Sequence, residues 1–290
     1  LLTRLAGNQR DLGGGLRVTR LLPALARRTV GPFVFLDHFG PLDIEPGMNI
    51  DVRPHPHIGL ATVTYLFEGA MMHRDSLGSV QRIEPGAINW MNAGRGIVHS
   101  ERTPADLRTQ SHRVHGLQLW VGLPQSLEES APTFAHTPAE QLSLFAEQDA
   151  DVQLLIGAAF GRCSPVKAAS ATTFLVLRLK AGKALVLPAL APELAVYPIG
   201  GGVMVDGSAL ERHTLGVIDS GKGCELKAAQ DRTVAVIGGA PLDGPRYLLW
   251  NFVSSRQARL HSAAIDWREQ RFGAVPGETE FIPLPASIAP

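Results

Sequence analysis

The sequence predicts an all-β protein built as two tandem β-barrel domains with small peripheral helices, and three observations carry that expectation. Short segments rich in Val, Ile, Leu, Thr and aromatics recur between clusters of Gly, Pro and Asp, the rhythm of strands and turns. Sustained 3.6-residue apolar stripes are scarce. The chain has 290 residues, enough for two cores, and half of it fits one small barrel. Its 30 Gly and 21 Pro exceed ordinary usage, which favours many turns.

In chain order, strands are expected at residues 16–22, 59–67, 80–84, 113–121 and 152–156. The second half continues with 172–179, 184–187, 194–199, 202–205, 215–218, 233–237 and 247–253. Residues 257–267 are the best helix candidate, while Pro23 interrupts the Ala-rich stretch at 21–28. The glycines at 7–15 lack the Lys-Ser/Thr ending of a phosphate loop and any strand-to-helix dinucleotide fingerprint, so a turn is expected there. Polar residues and three prolines interrupt the strand pattern at 124–147, which marks a seam. The expected domains are therefore 1–130, carrying the chemistry, and 131–290.

Charge and cysteine content narrow the function classes. Twenty-seven basic and 27 acidic residues cancel, leaving no global field for nucleic acid or an anionic membrane. The basic stretch at 20–28 reads as a solvated face. No apolar run approaches the roughly 20 residues of a membrane-crossing helix, so a cytoplasmic monomer is expected. Cys163 and Cys224 permit one bridge at most and are read as reduced thiols.

Seven of the ten histidines precede residue 120. His55 and His57 stand two apart before a strand-forming run, and a period of two turns both imidazoles to one face. His99 and Glu101 repeat the spacing, with Gly86, Gly94 and Gly96 supplying turns that bring the second strand beside the first. Three imidazoles and one carboxylate suit Fe, Mn, Ni, Co, Cu or Zn, and an octahedral ion so held keeps two positions open for chemistry. His136, His213 and His261 form no short-spaced cluster. His38 and His73 are read as stabilising their loops, and Asp75 and Ser76 as turn residues. His112 and His115 have opposite pleat parity and are not expected to share a site. Phe35, Trp90 and Trp120 are read as core in preference to the lining of a flat-substrate pocket.

Several motifs resemble the pirin family of the cupin superfamily: FVFLDHFGP at 33–41, HPHIGLATVTYLFEG at 55–69, HRDSLG at 73–78 and NWMNAGRGIVHSE at 89–101. LQLWVGLP at 117–124 and the ending RFGAVPGETEFIPLP extend the resemblance over nearly the whole chain. It implies a bicupin with one metal in the N-terminal barrel, its ligands carried onto His55, His57, His99 and Glu101, with Fe(II) the favoured ion. It also implies a C-terminal cupin domain without metal ligands. Some members resemble quercetin 2,3-dioxygenases, which open the central ring of a flavonol with O2 and release carbon monoxide; Glu101 is then the catalytic base. Others are regulatory partners in transcription, so the alternative is a non-enzymatic metal- or redox-sensing protein that binds a regulatory protein partner. A Lewis-acid isomerase ranks last. Ile58 and Ala61 stand where many relatives have Arg and Glu, which implies a less polar entrance or surround.

Overall fold

The computed structural model describes residues 2–12, 15–218 and 222–288, and its strands assemble two compact cupin units. One comprises Leu1–Gln9, Thr19–Asp37 and Thr137–Pro241; the other comprises Arg10–Val18, His38–His136 and Leu242–Pro290. A cut at residue 130 follows chain order, whereas in space the stretch from Leu242 onward groups with the histidine-rich part of the chain.

In the histidine-rich unit, strands Ile88–Asn92, Leu60–Glu68 and His112–Gly122 and residues 38–44 of strand Phe33–Ile44 lie side by side in one sheet. A four-stranded sheet in the order Val52–His57, Ile97–Arg102, Met71–Asp75 and Val80–Ile83 carries the motif residues. The pairings of this sheet are antiparallel, with His99 opposite His55 and Ile97 opposite His57. The helix Gln257–Arg268 buries Leu260, Ala263, Ala264 and Trp267, an i, i+3, i+4, i+7 stripe. That stripe packs with Ile58, Val98, Phe252 and Val275. Burial of Leu260 and Trp267 contributes on the order of 2 kcal/mol each.

In the other unit, a seven-stranded sheet and the four-stranded sheet of Ala184–Leu187, Cys224–Lys227, Val203–Val205 and Ser208–Leu210 enclose a core of Leu, Val, Ile and Ala side chains. Cys163 is exposed, Cys224 is buried, and both are free. Among the described residues no helix is long and apolar enough to cross a membrane.

Three expectations need correction. Residues 247–253 form two strands, Tyr247–Leu249 and Phe252–Ser254, because Trp250 turns the chain at φ 53°. The seam at 124–147 contains strands Thr133–Thr137 and Ser143–Glu147. Strand Asn8–Asp11 occupies part of the Gly-rich opening; Gly13 and Gly14, expected in its turn, lie outside the described residues. Ile58, expected to make the entrance or surround less polar, is buried in the apolar cluster with Val98 and Phe252.

Candidate metal centre

Alternation along Val52–His57 and Ile97–Arg102 sends His55, His57, His99 and Glu101 to one face and Pro54, Pro56, Val98, Ser100 and Arg102 to the other. One ligand atom from each of His55, His57 and His99 lies within 4.8 Å of the others. The ring centroids are 4.4 Å apart for His55 and His99, 5.0 Å for His55 and His57, and 5.1 Å for His57 and His99. All three residues are buried.

Hydrogen bonding decides which nitrogens are available. The Nδ1–H of His55 donates to the Arg53 carbonyl at 2.9 Å, and the Nδ1–H of His57 donates to the Asn251 carbonyl at 3.0 Å. A carbonyl only accepts, so both rings carry their proton on Nδ1 and keep Nε2 as a bare lone pair. Neither ring nitrogen of His99 has a hydrogen-bond partner among the described residues although both are buried, a costly condition that a cation bound at one of them relieves in part. Burial lowers the His55 pKa to about 4 and holds His57 and His99 well below the usual imidazole range. Neutral, lone-pair-bearing imidazoles are the form that ligates a metal, and the donor set fits a divalent transition ion.

Glu101 is two residues beyond His99 on the same strand, across an irregularity in the pairing with Val52–His57. Its carboxylate stands outside the three-imidazole group and meets the Thr64 hydroxyl at 3.4 Å. Burial raises its pKa to about 7, with the Thr64 contact opposing that rise. Thr64 donates at 3.0 Å to Gln118 Oε1. Trp120, two residues on from Gln118, sets its ring edge against His57 with centroids 5.1 Å apart. Trp90 pairs with Val63, so it lies on the opposite face of that sheet from Thr64. Phe35 lies under the Arg20 guanidinium.

His73 holds the Asp75 turn and borders the imidazole cluster. Its Nε2–H donates to Asp75 at 2.9 Å, its ring stacks on Phe134 with centroids 4.2 Å apart, and its centroid is 5.4 Å from that of His99. Asp75 also takes the Leu77 and Ser79 amides; these bonds and His73 overcome burial and leave its pKa lowered. His38 and His115 face each other with Nε2 atoms 2.8 Å apart, one donating and the other accepting. His112 donates to the Gln110 carbonyl. Thr64 and Gln118 escaped the sequence reading, although a lone Gln within an apolar strand was a usable signal. The Asn251 carbonyl left none, because any residue carries one.

A two-domain cupin scaffold with a buried three-histidine site for a divalent metal is the class that fold and geometry define. The pirin profile matches residues 15–121 and the pirin C-terminal cupin profile residues 174–273. A pirin-like protein of Caulobacter vibrioides is 45% identical over 283 residues, covering 96% of either chain. The chain belongs to the pirin family. A crystal structure of a quercetin 2,3-dioxygenase from Acinetobacter baumannii superposes with a TM-score of 0.91 at 33% identity, covering 98% of this chain and 95% of that one. The bacterial pirin YhhW of Escherichia coli, solved in complex with nickel(II), shares the fold with a TM-score of 0.66 at 19% identity, covering 83% of this chain and 100% of that one.

Proposed function

We propose that this chain is a metal-dependent dioxygenase that opens the central ring of quercetin-like flavonols with O2 and releases carbon monoxide. The ligands are His55, His57, His99 and Glu101, and the ion is Fe(II). The observation that carries this reading is the cluster of three neutral imidazoles, two of defined tautomer, whose ligand atoms lie within 4.8 Å of one another, with the Glu101 carboxyl two residues along from His99. The quercetin 2,3-dioxygenase name of a relative with the same fold supports it.

When bound, the ion supplies Lewis-acid and one-electron chemistry toward the substrate oxygen and O2. Glu101 accepts the flavonol 3-hydroxyl proton on its carboxylate and later returns it. The Thr64 hydroxyl reaches both that carboxylate and Gln118 Oε1, and its one proton is shared between the two acceptors. Trp120 fixes the His57 ring plane.

The test is oxygen uptake by metal-depleted protein reloaded with Fe(II) and given quercetin, beside a free-metal control and Glu101→Gln. Uptake matched to quercetin consumption, and lost in a folded Glu101→Gln protein of equal iron content, is the expected result. No uptake at confirmed iron occupancy overturns the flavonol reading, and unchanged turnover in Glu101→Gln removes Glu101 as the base.

A further inference from the structure

Residues 247–284 lie far along the chain from every ligand, yet they meet both ligand strands, on the face turned away from the imidazoles and, at Asn251, at the His57 ring itself. Pleat alternation places Ser100 and Arg102 on that outer face, and Glu278 takes both. The Ser100 hydroxyl donates to Glu278 Oε1 at 2.7 Å, and Arg102 Nε donates to the same oxygen at 3.1 Å. On the neighbouring strand, the Ile282 amide donates to the Pro54 carbonyl at 2.8 Å, one residue before His55. Trp267 Nε1–H holds the Ile282 carbonyl at 3.0 Å.

Apolar contacts and the hairpin at 247–254 complete the attachment. Ile58 and Val98, each flanking a ligand histidine, are buried among Phe252, Leu260 and Trp267. A side chain on Gly96 would meet the Phe272 ring. The Val253 amide donates to the Ile58 carbonyl, and Asn251 supplies the carbonyl that sets the His57 tautomer. Glu128 anchors the hairpin through the Ser255 amide, the Ser254 hydroxyl and the buried Arg246.

We propose that this C-terminal segment is a working part of the metal centre, with Glu278 and Arg102 as positioning residues that hold the ligand strands in register. This inference rests on the metal reading above. It means that metal binding and docking of the segment are linked: each strengthens the other by the same factor. A ligand's outer partners typically change metal affinity by about 10–100-fold. Here the segment supplies one such partner, the Asn251 carbonyl on His57, while Glu278 acts a step further out, through the strand that carries His99.

The test uses the full-length chain loaded with Ni(II), an ion suited to imidazole ligands. A chelator should strip the ion from Glu278→Ala several-fold faster than from wild type. Glu278→Gln, which keeps hydrogen bonds to Ser100 and Arg102, should fall between them. Hydrogen exchange at the Ile282 and Val253 amides of the wild type should slow several-fold on Ni(II) loading, a readout that holds even if the alanine variant folds poorly. A merely structural role predicts a lower melting temperature for Glu278→Ala with equal stripping rates and exchange indifferent to Ni(II), and that result overturns the coupling. Failure of the wild type to take up any ion overturns the metal reading and this inference with it.

Discussion

Uptake of a divalent ion by the metal-free protein should release a number of protons set by pH, and Glu101 determines that number. Its carboxyl is raised to about 7 by burial, so it is protonated below that pH and must lose its proton to ligate. The histidines add nothing between about pH 6 and 8, since His55 is lowered to about 4 and His57 and His99 lie well below the usual range. One group titrating at 7 gives ~0.9 proton released at pH 6, ~0.5 at pH 7 and ~0.1 at pH 8. Apparent affinity should correspondingly rise about tenfold per pH unit below 7 and flatten above it. Calorimetric titration in buffers of different ionisation enthalpy counts the protons directly. Glu101→Gln should release close to none at any of these pH values. A count that does not change with pH, or that survives in Glu101→Gln, refutes the assignment of the proton to Glu101 and its place among the ligands.

Two further outcomes concern the scaffold. Gly59 adopts φ +67°, and a Cβ there would come within 2.0 Å of the Val253 carbonyl oxygen, so Gly59→Ala should cost more than about 3 kcal/mol in denaturant unfolding. Gly15 at φ +87° has nothing within 4 Å of such a Cβ, and Gly15→Ala should cost only about 1 kcal/mol; equal losses would discard the steric argument. Acid should weaken the histidine-rich unit. The Arg102 hydrogen bond holds Glu278 below its ordinary value of 4.5. Asp51 is raised by burial but lowered more by the Thr103 amide, Arg108 and Arg102, ending below 3.8. Depressed carboxyl pKa values stabilise above the ordinary values, and that stability is lost as pH falls through the lowered ones. The denaturant midpoint should therefore fall between about pH 5 and pH 3, and less so in Glu278→Gln; an identical fall in that variant would contradict the role of Glu278.

Strands that are near-continuous runs of β-branched, apolar and aromatic residues were legible because nothing in them interrupts the run, as in Thr172–Leu179 and Leu60–Glu68. The twelve-residue strand Phe33–Ile44 was not, because Asp37, His38, Gly40 and Pro41 read as breakers. Long-range partners remove that penalty: Arg20 takes both Asp37 oxygens, and His115 takes His38. The histidine cluster was legible for the opposite reason, since two-residue spacing on adjacent strands is itself the geometry. Its outer partners were not: Asn251 acts through a backbone carbonyl, and Glu278 reaches Ser100 across 178 positions of chain.

The two units show what a metal site costs a barrel. In one, strand Thr172–Leu179 contributes Leu175 and Leu177 to a continuous apolar core with Leu185, Val234 and Leu226, and burial of each such side chain contributes about 1.5–3 kcal/mol. In the other, the face of Leu60–Glu68 that meets Glu101 and Gln118 carries the buried Thr62 and Thr64, and the strands opposite carry imidazoles. Those groups give little hydrophobic stabilisation and leave His99 without a partner. The apolar packing that strands Val52–His57 and Ile97–Arg102 lack on their inner face is found on their outer one, where Ile58 and Val98 join the C-terminal helix and Phe252. An interior given over to ligands thus has to be stabilised from outside, and a segment placed there for stability is also placed to govern how firmly the ligands hold an ion.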